Sequence, residues 1–301
     1  MNSSMLTVSH LTKRFGAKQV LSDVSFTVPE HTVFGFVGQN GAGKTTTMKI
    51  ILGLLQGDSG EVTVNGVPVR ARHNRTNRFI GYLPDVPEFY SYMTPSEYLA
   101  LCGRISGMSE PAIKKRTSEL LELVGLTENR RIHGYSRGMK QRLGIAQALF
   151  HRPKLLICDE PTSALDPLGR KEILDILTAA REESTVIFSS HILSDVERIC
   201  DEMALLHNGT IAMSGTLDEI KQKRRAAAIE LEMLTAEDAQ ALHAEFPFLQ
   251  TDAGNPARLI LSDPQALPGI LSRISASDMP FQRIVRLEPT LEDLFMEVIK
   301  K

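Results

Sequence analysis

Apolar and polar residues first alternate along this chain and then change period. Met5–Ser9 and Val24–Val28 alternate in twos, as half-buried strands do. Thr32–Val37 (TVFGFV) is a short, β-rich apolar run of the kind that becomes a buried strand. A glycine-rich turn, Gly38–Gly43, precedes a helix expected from Lys44 to about Gly53. Glu61–Asn65 and Phe79–Leu83 read as strands. From Pro95 to about Val124 apolar residues recur at three and four, which predicts a helical region. Ser136 is placed to cap a helix running through Phe150. Leu155–Cys158 and Thr185–Ser189 are expected strands, with a helix over about Leu168–Arg181 between them. Met203–His207 and Thr210–Met213 flank Asn208-Gly209, a dipeptide suited to a type I′ hairpin. Strands alternating with helices predict an α/β fold with a largely parallel central sheet, and the early strand-rich segments predict an attached antiparallel part.

After the basic stretch Lys221–Arg225 the pattern restarts. Ala228–Leu234, Arg258–Leu261 and Phe281–Leu287 read as strands. Ala236–Phe246, Pro264–Ile274 and Thr290–Ile299 read as helices. The expected division is therefore near Arg225, with a first domain over 1–225 and a small α+β domain over 226–301.

Composition narrows the function classes. Length alone suggests roughly two domains. The 34 basic and 36 acidic residues leave a formal net charge of −2, so no global field draws nucleic acid or anionic lipid. Cys102, Cys158 and Cys200 form no CxxC, which predicts reduced thiols rather than a disulfide framework or zinc site. The first residues carry no apolar core of a secretory signal, and no charge-poor apolar run reaches about 18 residues. A role at a membrane would then need spans supplied by another chain.

Two segments carry chemistry on their own. Gly38-Gln39-Asn40-Gly41-Ala42-Gly43-Lys44-Thr45 fits GxxxxGK[ST] between an expected buried strand and a helix. The glycines let the backbone turn tightly and aim N–H groups at phosphate oxygens, and the helix adds its positive end. Lys44 is the expected point charge for the β- and γ-phosphates, and Thr45 the expected hydroxyl ligand of Mg²⁺. Thr46 continues the ATP-binding segment. Leu155–Cys158 ends in Asp159-Glu160-Pro161, where Asp159 is expected to hold Mg²⁺ and Glu160 to polarise the attacking water.

Further segments, in order, make the chain resemble the ATP-binding-cassette (ABC) ATPases from Leu6 to about Gly215, and specifically the single-cassette ATPases that serve separate exporter permeases. Tyr135-Ser136-Arg137-Gly138-Met139 resembles the family signature LSGGQ. The resemblance implies that this turn binds the ATP held by an opposite subunit, so a second cassette subunit, expected to be another copy, completes the site. Arg137 and Met139 depart from the pattern. Asp166, in Ser163-Ala-Leu-Asp166, resembles the D-loop that crosses that interface. His191 resembles the switch histidine that contacts the γ-phosphate, and Phe15 stands where the family stacks an aromatic ring on adenine. Asp85 stands where the family has a Gln, and is expected as a metal-side residue. Phe89, Tyr90, Tyr92 and Met93 suit either a groove for a helix of the permease or packing on the domain's own helices. The run Arg70, Arg72, Arg75 and Arg78 is expected to be a solvated loop. Pro289–Phe295 resembles a tail segment of such exporter ATPases.

The resemblance implies a P-loop NTPase domain with antiparallel β and helical subdomains. It further implies ATP and Mg²⁺ as ligands, catalysis by Lys44, Glu160 and His191, and a peripheral position on the cytoplasmic face of the membrane. No nucleic-acid partner is expected. The alternatives are a soluble cassette protein working on ribosomes or nucleic acid, which usually carries two cassettes or a coiled coil, and a weakly hydrolysing, ATP-gated subunit.

Overall fold

The structure, a computed structural model, describes residues 4–71, 75–127, 130–222, 228–252, 254–277, 279–287 and 290–299. Arg72, Arg225 and Pro289 lie outside the described residues.

The alternating N-terminal segments form β1 (Ser4–Phe15) and β2 (Lys18–Pro29), a long antiparallel pair. After β3 (Val33–Val37) and α1 (Lys44–Ile51), β4 (Ser59–Val64) returns to pair with β1, and the short β5 (Val67–Pro68) extends that sheet. The buried faces of β1 and β2 pack on β3, with Phe26 stacked at 5.0 Å from Phe36 and 5.8 Å from Phe34. This apolar layer removes one face of the central sheet from water and fixes where β3 ends.

The central sheet takes β6 (Ile80–Leu83), β7 (Leu155–Cys158), β8 (Thr185–Ser190), β9 (Glu202–His207) and β10 (Thr210–Thr216). Its order is β10-β9-β3-β8-β7-β6, parallel except for β10. The hairpin between β9 and β10 turns at Asn208 and Gly209, both with positive φ (48° and 78°), as a type I′ turn requires. The expected helical region is two helices, α2 (Pro95–Ile105) and α3 (Glu110–Leu123). Thr94 and Glu97 close a reciprocal capping box on α2, and Pro111 in the first turn of α3 opens a second helix rather than extending the first. Then follow α4 (Arg137–Leu149), α5 (Pro167–Ala180) and α6 (Leu193–Ile199). Arg70, Arg75 and Arg78 are exposed, in line with a solvated loop.

The chain divides into Met1–Leu217 and Asp218–Lys301, so α7 (Leu217–Gln222) falls almost wholly in the second unit rather than ending the first. A basic run marks polarity; the division instead follows backbone pairing, which ends where Thr216 of β10 meets Glu202. The second unit contains β11 (Ile229–Met233), α8 (Ala236–Glu245), β12 (Gln250–Asp252), β13 (Asn255–Leu261), α9 (Leu267–Ala276), β14 (Phe281–Arg286) and α10 (Leu291–Ile299). Its antiparallel sheet, β12-β13-β11-β14, buries Leu231, Leu259 and Leu261 against Leu242, Ile270 and Ile274. The alternate residues Glu230 and Glu232 of β11 instead meet Arg258 and Arg283.

Candidate functional site

Parallel strands in the order β3-β8-β7-β6 bring four loops to one edge. Val37 is level with Ser190, Cys158 with Phe188, and Leu83 with Cys158. Gly38–Gly43, His191, Asp159-Glu160 and Asp85 therefore leave the sheet side by side. The carboxyl end of a parallel sheet is where α/β proteins of this kind bind ligands.

The loop from Gly38 to Gly43 is held from below. The Gly38 N–H donates to the Ser190 carbonyl (3.3 Å), and the Ala42 N–H to the Gln39 carbonyl (3.1 Å). At Gly38 a Cβ would come within 2.5 Å of the Leu206 carbonyl oxygen, so only glycine allows the close approach. Gly43 has φ of 112° and stands at the N-cap of α1 without a side-chain cap. Its left-handed backbone turns the first N–H groups of α1, from Lys44, Thr45 and Thr46, toward the open edge of the loop. That is the arrangement an anion needs. Thr45 is exposed there, and Thr46 is half-buried. Gln39, Asn40, Gly41 and Ala42 line a cavity of about 320 Å³ together with Lys18, Gln19, Val20 and the hairpin residues His207–Gly209. Phe15 pairs with Lys18 at the end of β1, half-exposed and with the Lys13 ammonium 5.4 Å from its ring.

Lys44 is buried, and its ammonium donates to the carbonyls of Gly38 (2.7 Å) and Gln39 (3.2 Å). It also stands 2.9 Å from Glu160 Oε1, a contact of charge without aligned hydrogen-bond geometry. The other oxygen of Glu160 lies 2.8 Å from His191 Nδ1. One connected line therefore runs from the phosphate loop through Lys44 and Glu160 to His191. Glu160 has a positive φ of 49°, and its N–H is held by Ser189 Oγ at 2.8 Å. The same hydroxyl donates to Asp159 Oδ1 at 2.7 Å, and Asp159 is buried. Ser189 thus holds the Asp159 carboxylate and the Glu160 backbone. It is not evident from sequence, although a polar residue ending an otherwise apolar strand is the signal that points to it. Burial and the neighbouring Asp159 push the Tyr82 phenol up to about 12.

Asp85 sits at the same edge. Burial pushes its carboxyl up, Arg137 opposes that, and the negative charges of Asp159 and Glu160 add to the rise. Its carboxylate accepts from Arg137 Nη2 (3.2 Å), and its carbonyl accepts from Gln141 Nε2 (2.6 Å).

Ser136 is the N-cap of α4, and its Oγ accepts the Met139 N–H (3.3 Å). The Met139 N–H is thus satisfied within the helix, because a serine before a helix closes onto its first turn. A Cβ on Gly138 would lie 3.8 Å from Leu165, so the turn at Ser136–Gly138 faces the loop before Asp166. Asp166 caps α5 by accepting the Gly169 N–H (3.1 Å). The hydrogen bonds of Ser136, Arg137 and Asp166 run to their own helices and to Asp85. Lys44, Glu160 and His191 contact one another, and Ser189 joins Asp159 to the Glu160 backbone, at the edge where Asp85 also sits.

A buried triad behind the site also escapes sequence reading. Asp195, on α6 just after His191, accepts from Thr162 Oγ1 (2.7 Å) and from Arg170 Nη2 (2.6 Å). It ties α6, the helix after His191, to α5. Asp195→Ala leaves a buried hydroxyl and a mostly buried guanidinium unmatched, so unfolding by denaturant should show a loss of about 2–4 kcal/mol. A loss below about 0.5 kcal/mol would mean that water replaces the carboxylate.

Of the aromatic cluster, Phe89 and Met93 are half-buried, and Phe89 meets Tyr98 edge-on at 5.1 Å. Tyr90, Tyr92 and Val86 are exposed. Phe89 thus packs on the domain's own α2, as does Tyr90, whose ring lies 6.3 Å from that of Tyr98.

Comparison with known proteins follows the same line. A family model described as ABC transporter matches residues 21–163. A second, described as the ATP-binding protein DrrA1-3-like C-terminal domain, matches residues 215–299. The uncharacterized ABC transporter ATP-binding protein YxlF of Bacillus subtilis (strain 168) is 39% identical over 300 residues, covering 98% of this chain and 99% of its own length. The bacitracin transport ATP-binding protein BcrA of Enterococcus faecalis is 32% identical over 301 residues, covering 98% of this chain and 96% of its own. Among solved structures, an ATP-binding subunit of an ABC transporter superposes with a TM-score of 0.65 at 34% identity, over 73% of this chain and 92% of that one.

Proposed function

Because this chain belongs to the ATP-binding proteins of ABC transporters, a family of ATPases, we propose that it powers export through a separately encoded permease by closing on ATP with a second copy of itself. The observation that carries the reading is the continuous contact from the phosphate loop through Lys44 and Glu160 to His191. Among the described residues no helix is long and apolar enough to cross a membrane; in this reading the permease supplies the spans. The working position is then the cytoplasmic face of the membrane, with Val86, Tyr90 and Tyr92 available to a permease helix. The relative named for bacitracin transport supports a cargo of antibiotic type.

In this reading the N–H groups of Gly41–Thr46 bind the β- and γ-phosphates, and Lys44 moves from the loop carbonyls to the phosphate oxygens. Phe15 stacks on the base. Thr45 and buried Asp159, whose Oδ1 already takes the Ser189 hydroxyl, form an all-oxygen donor set that fits Mg²⁺, with each oriented by its helix or strand. Mg²⁺, when bound, would neutralise charge on the phosphate oxygens. Glu160 polarises the attacking water, and His191 holds Glu160 through Nδ1 and faces the γ-phosphate. Ser136 and Gly138 contact the nucleotide of the opposite copy, and Asp166 lies at that junction. The basic nucleic-acid surface that a ribosomal role would need has no counterpart in the charge balance.

The pairing is testable by light scattering. The Glu160→Gln chain should be monomeric without nucleotide and dimeric at saturating Mg-ATP. A species that stays monomeric with ATP bound would rule out the homodimer.

A further inference from the structure

The first turn of α4 is electrostatically unusual. It contains no acidic residue and carries two cations, Arg137 and Lys140, at the helix end where the macrodipole is already positive. The missing anion comes from the loop after β6. Asp85 Oδ1 accepts from Arg137 Nη2 at 3.2 Å, while the Asp85 carbonyl accepts from Gln141 Nε2 at 2.6 Å. Arg137 and Gln141 are four residues apart, so they lie on one face of the helix, one turn from each other. A single residue therefore spans that turn, gripping it by side chain at one end and by backbone at the other. Gln141 is fully buried, which makes the backbone grip hard to replace with water. Two residues before Asp85, the Leu83 carbonyl accepts the Asp159 N–H at 2.8 Å. The path from the strand end bearing Asp159 and Glu160 to the signature turn is thus Leu83, Asp85 and Arg137. Asp85 and Arg137 are also two positions where this chain departs from the family's pattern, and each is the other's partner.

We propose that Asp85 is a positioning residue, which through Arg137 and Gln141 locks the signature turn of α4 to the end of β6, so that both move as one body when two copies close on ATP. The inference rests on the reading that two copies pair on ATP. Its carboxylate serves Arg137 and is not spent on the metal.

The test is a double-mutant cycle in the full-length Glu160→Gln chain, read as ATP-driven self-association by light scattering. The pair already exists in each unpaired chain, so it favours association only by preorganising the turn; loss of that order in both copies should weaken association of Asp85→Asn by about three- to tenfold. With Arg137 already changed to Gln, the same Asp85→Asn substitution should alter association by less than about twofold. The Mg²⁺ concentration for half-maximal association should match that of the parent. Three outcomes overturn the proposal: an undiminished Asp85→Asn effect in the Arg137→Gln background, tighter association in Asp85→Asn (a carboxylate competing with phosphate for Arg137), or a tenfold rise in the Mg²⁺ requirement. Asp85→Ser in the same two backgrounds repeats the cycle if the Asn variant misfolds. A parent that does not self-associate with ATP fails at the earlier step, and then the pairing itself is refuted.

Discussion

Glu160→Gln should lower steady-state ATP hydrolysis by about 10²–10⁴-fold while leaving ATP binding almost unchanged, since a positioned general base contributes that range. The geometry makes this substitution clean. Glutamine has the same shape, and its amide can still meet His191 Nδ1, now 2.8 Å from Glu160 Oε2. The backbone at residue 160 is held in its left-handed conformation by the bond from its N–H to Ser189 Oγ, which the change does not touch. What disappears is the capacity to draw a proton from water. Phosphate release and equilibrium nucleotide binding should be measured on the same preparation. Residual hydrolysis within about tenfold of the unmodified chain would mean that another group activates the water. His191 would then be the first to examine.

The complementary substitution, Lys44→Met, should strike binding rather than turnover alone. Lys44 is buried, with two loop carbonyls and one carboxylate as its neighbours. Methionine fills similar space without charge. It removes a charge-assisted contact of about 1.5–3 kcal/mol and leaves Glu160 without its nearest cation. ATP affinity should therefore fall about 10- to 100-fold, whereas AMP affinity should hardly change because Lys44 serves the β- and γ-phosphates. Isothermal titration with both nucleotides distinguishes the cases. Equal losses for ATP and AMP would point to collapse of the loop, and no loss would remove Lys44 from the site.

These expectations depend unequally on sequence and on structure. Gly38–Thr46 and Asp159-Glu160 are legible because each function there needs a fixed short spacing: a turn that only glycine permits, a cation just inside a helix, and carboxylates at the end of an apolar strand. The strands and helices around them are legible because burial imposes a period on the residues. Two helices hid within one periodic stretch because a three-and-four repeat continues across a short break. α6 and α7 are too short for periodicity to register. The division after Leu217 falls where backbone pairing ends, a few residues before the basic run that the sequence offers as a boundary.

Local sequence determined the elements, the phosphate loop and the chemistry that the loop and the acidic strand end can perform. Tertiary structure alone decided which groups meet. Strand order put Gly38, His191, Glu160 and Asp85 at one edge, although they are far apart in the chain. It made Ser189 the common support of the Asp159 carboxylate and the Glu160 backbone, buried Asp195 between Thr162 and Arg170, and gave Asp85 to Arg137. The physical reason is range. Propensity, capping and turn chemistry act within a few residues and are written in local order. Hydrogen bonds and charge contacts depend on distance in space, which no local pattern records until the strands have paired.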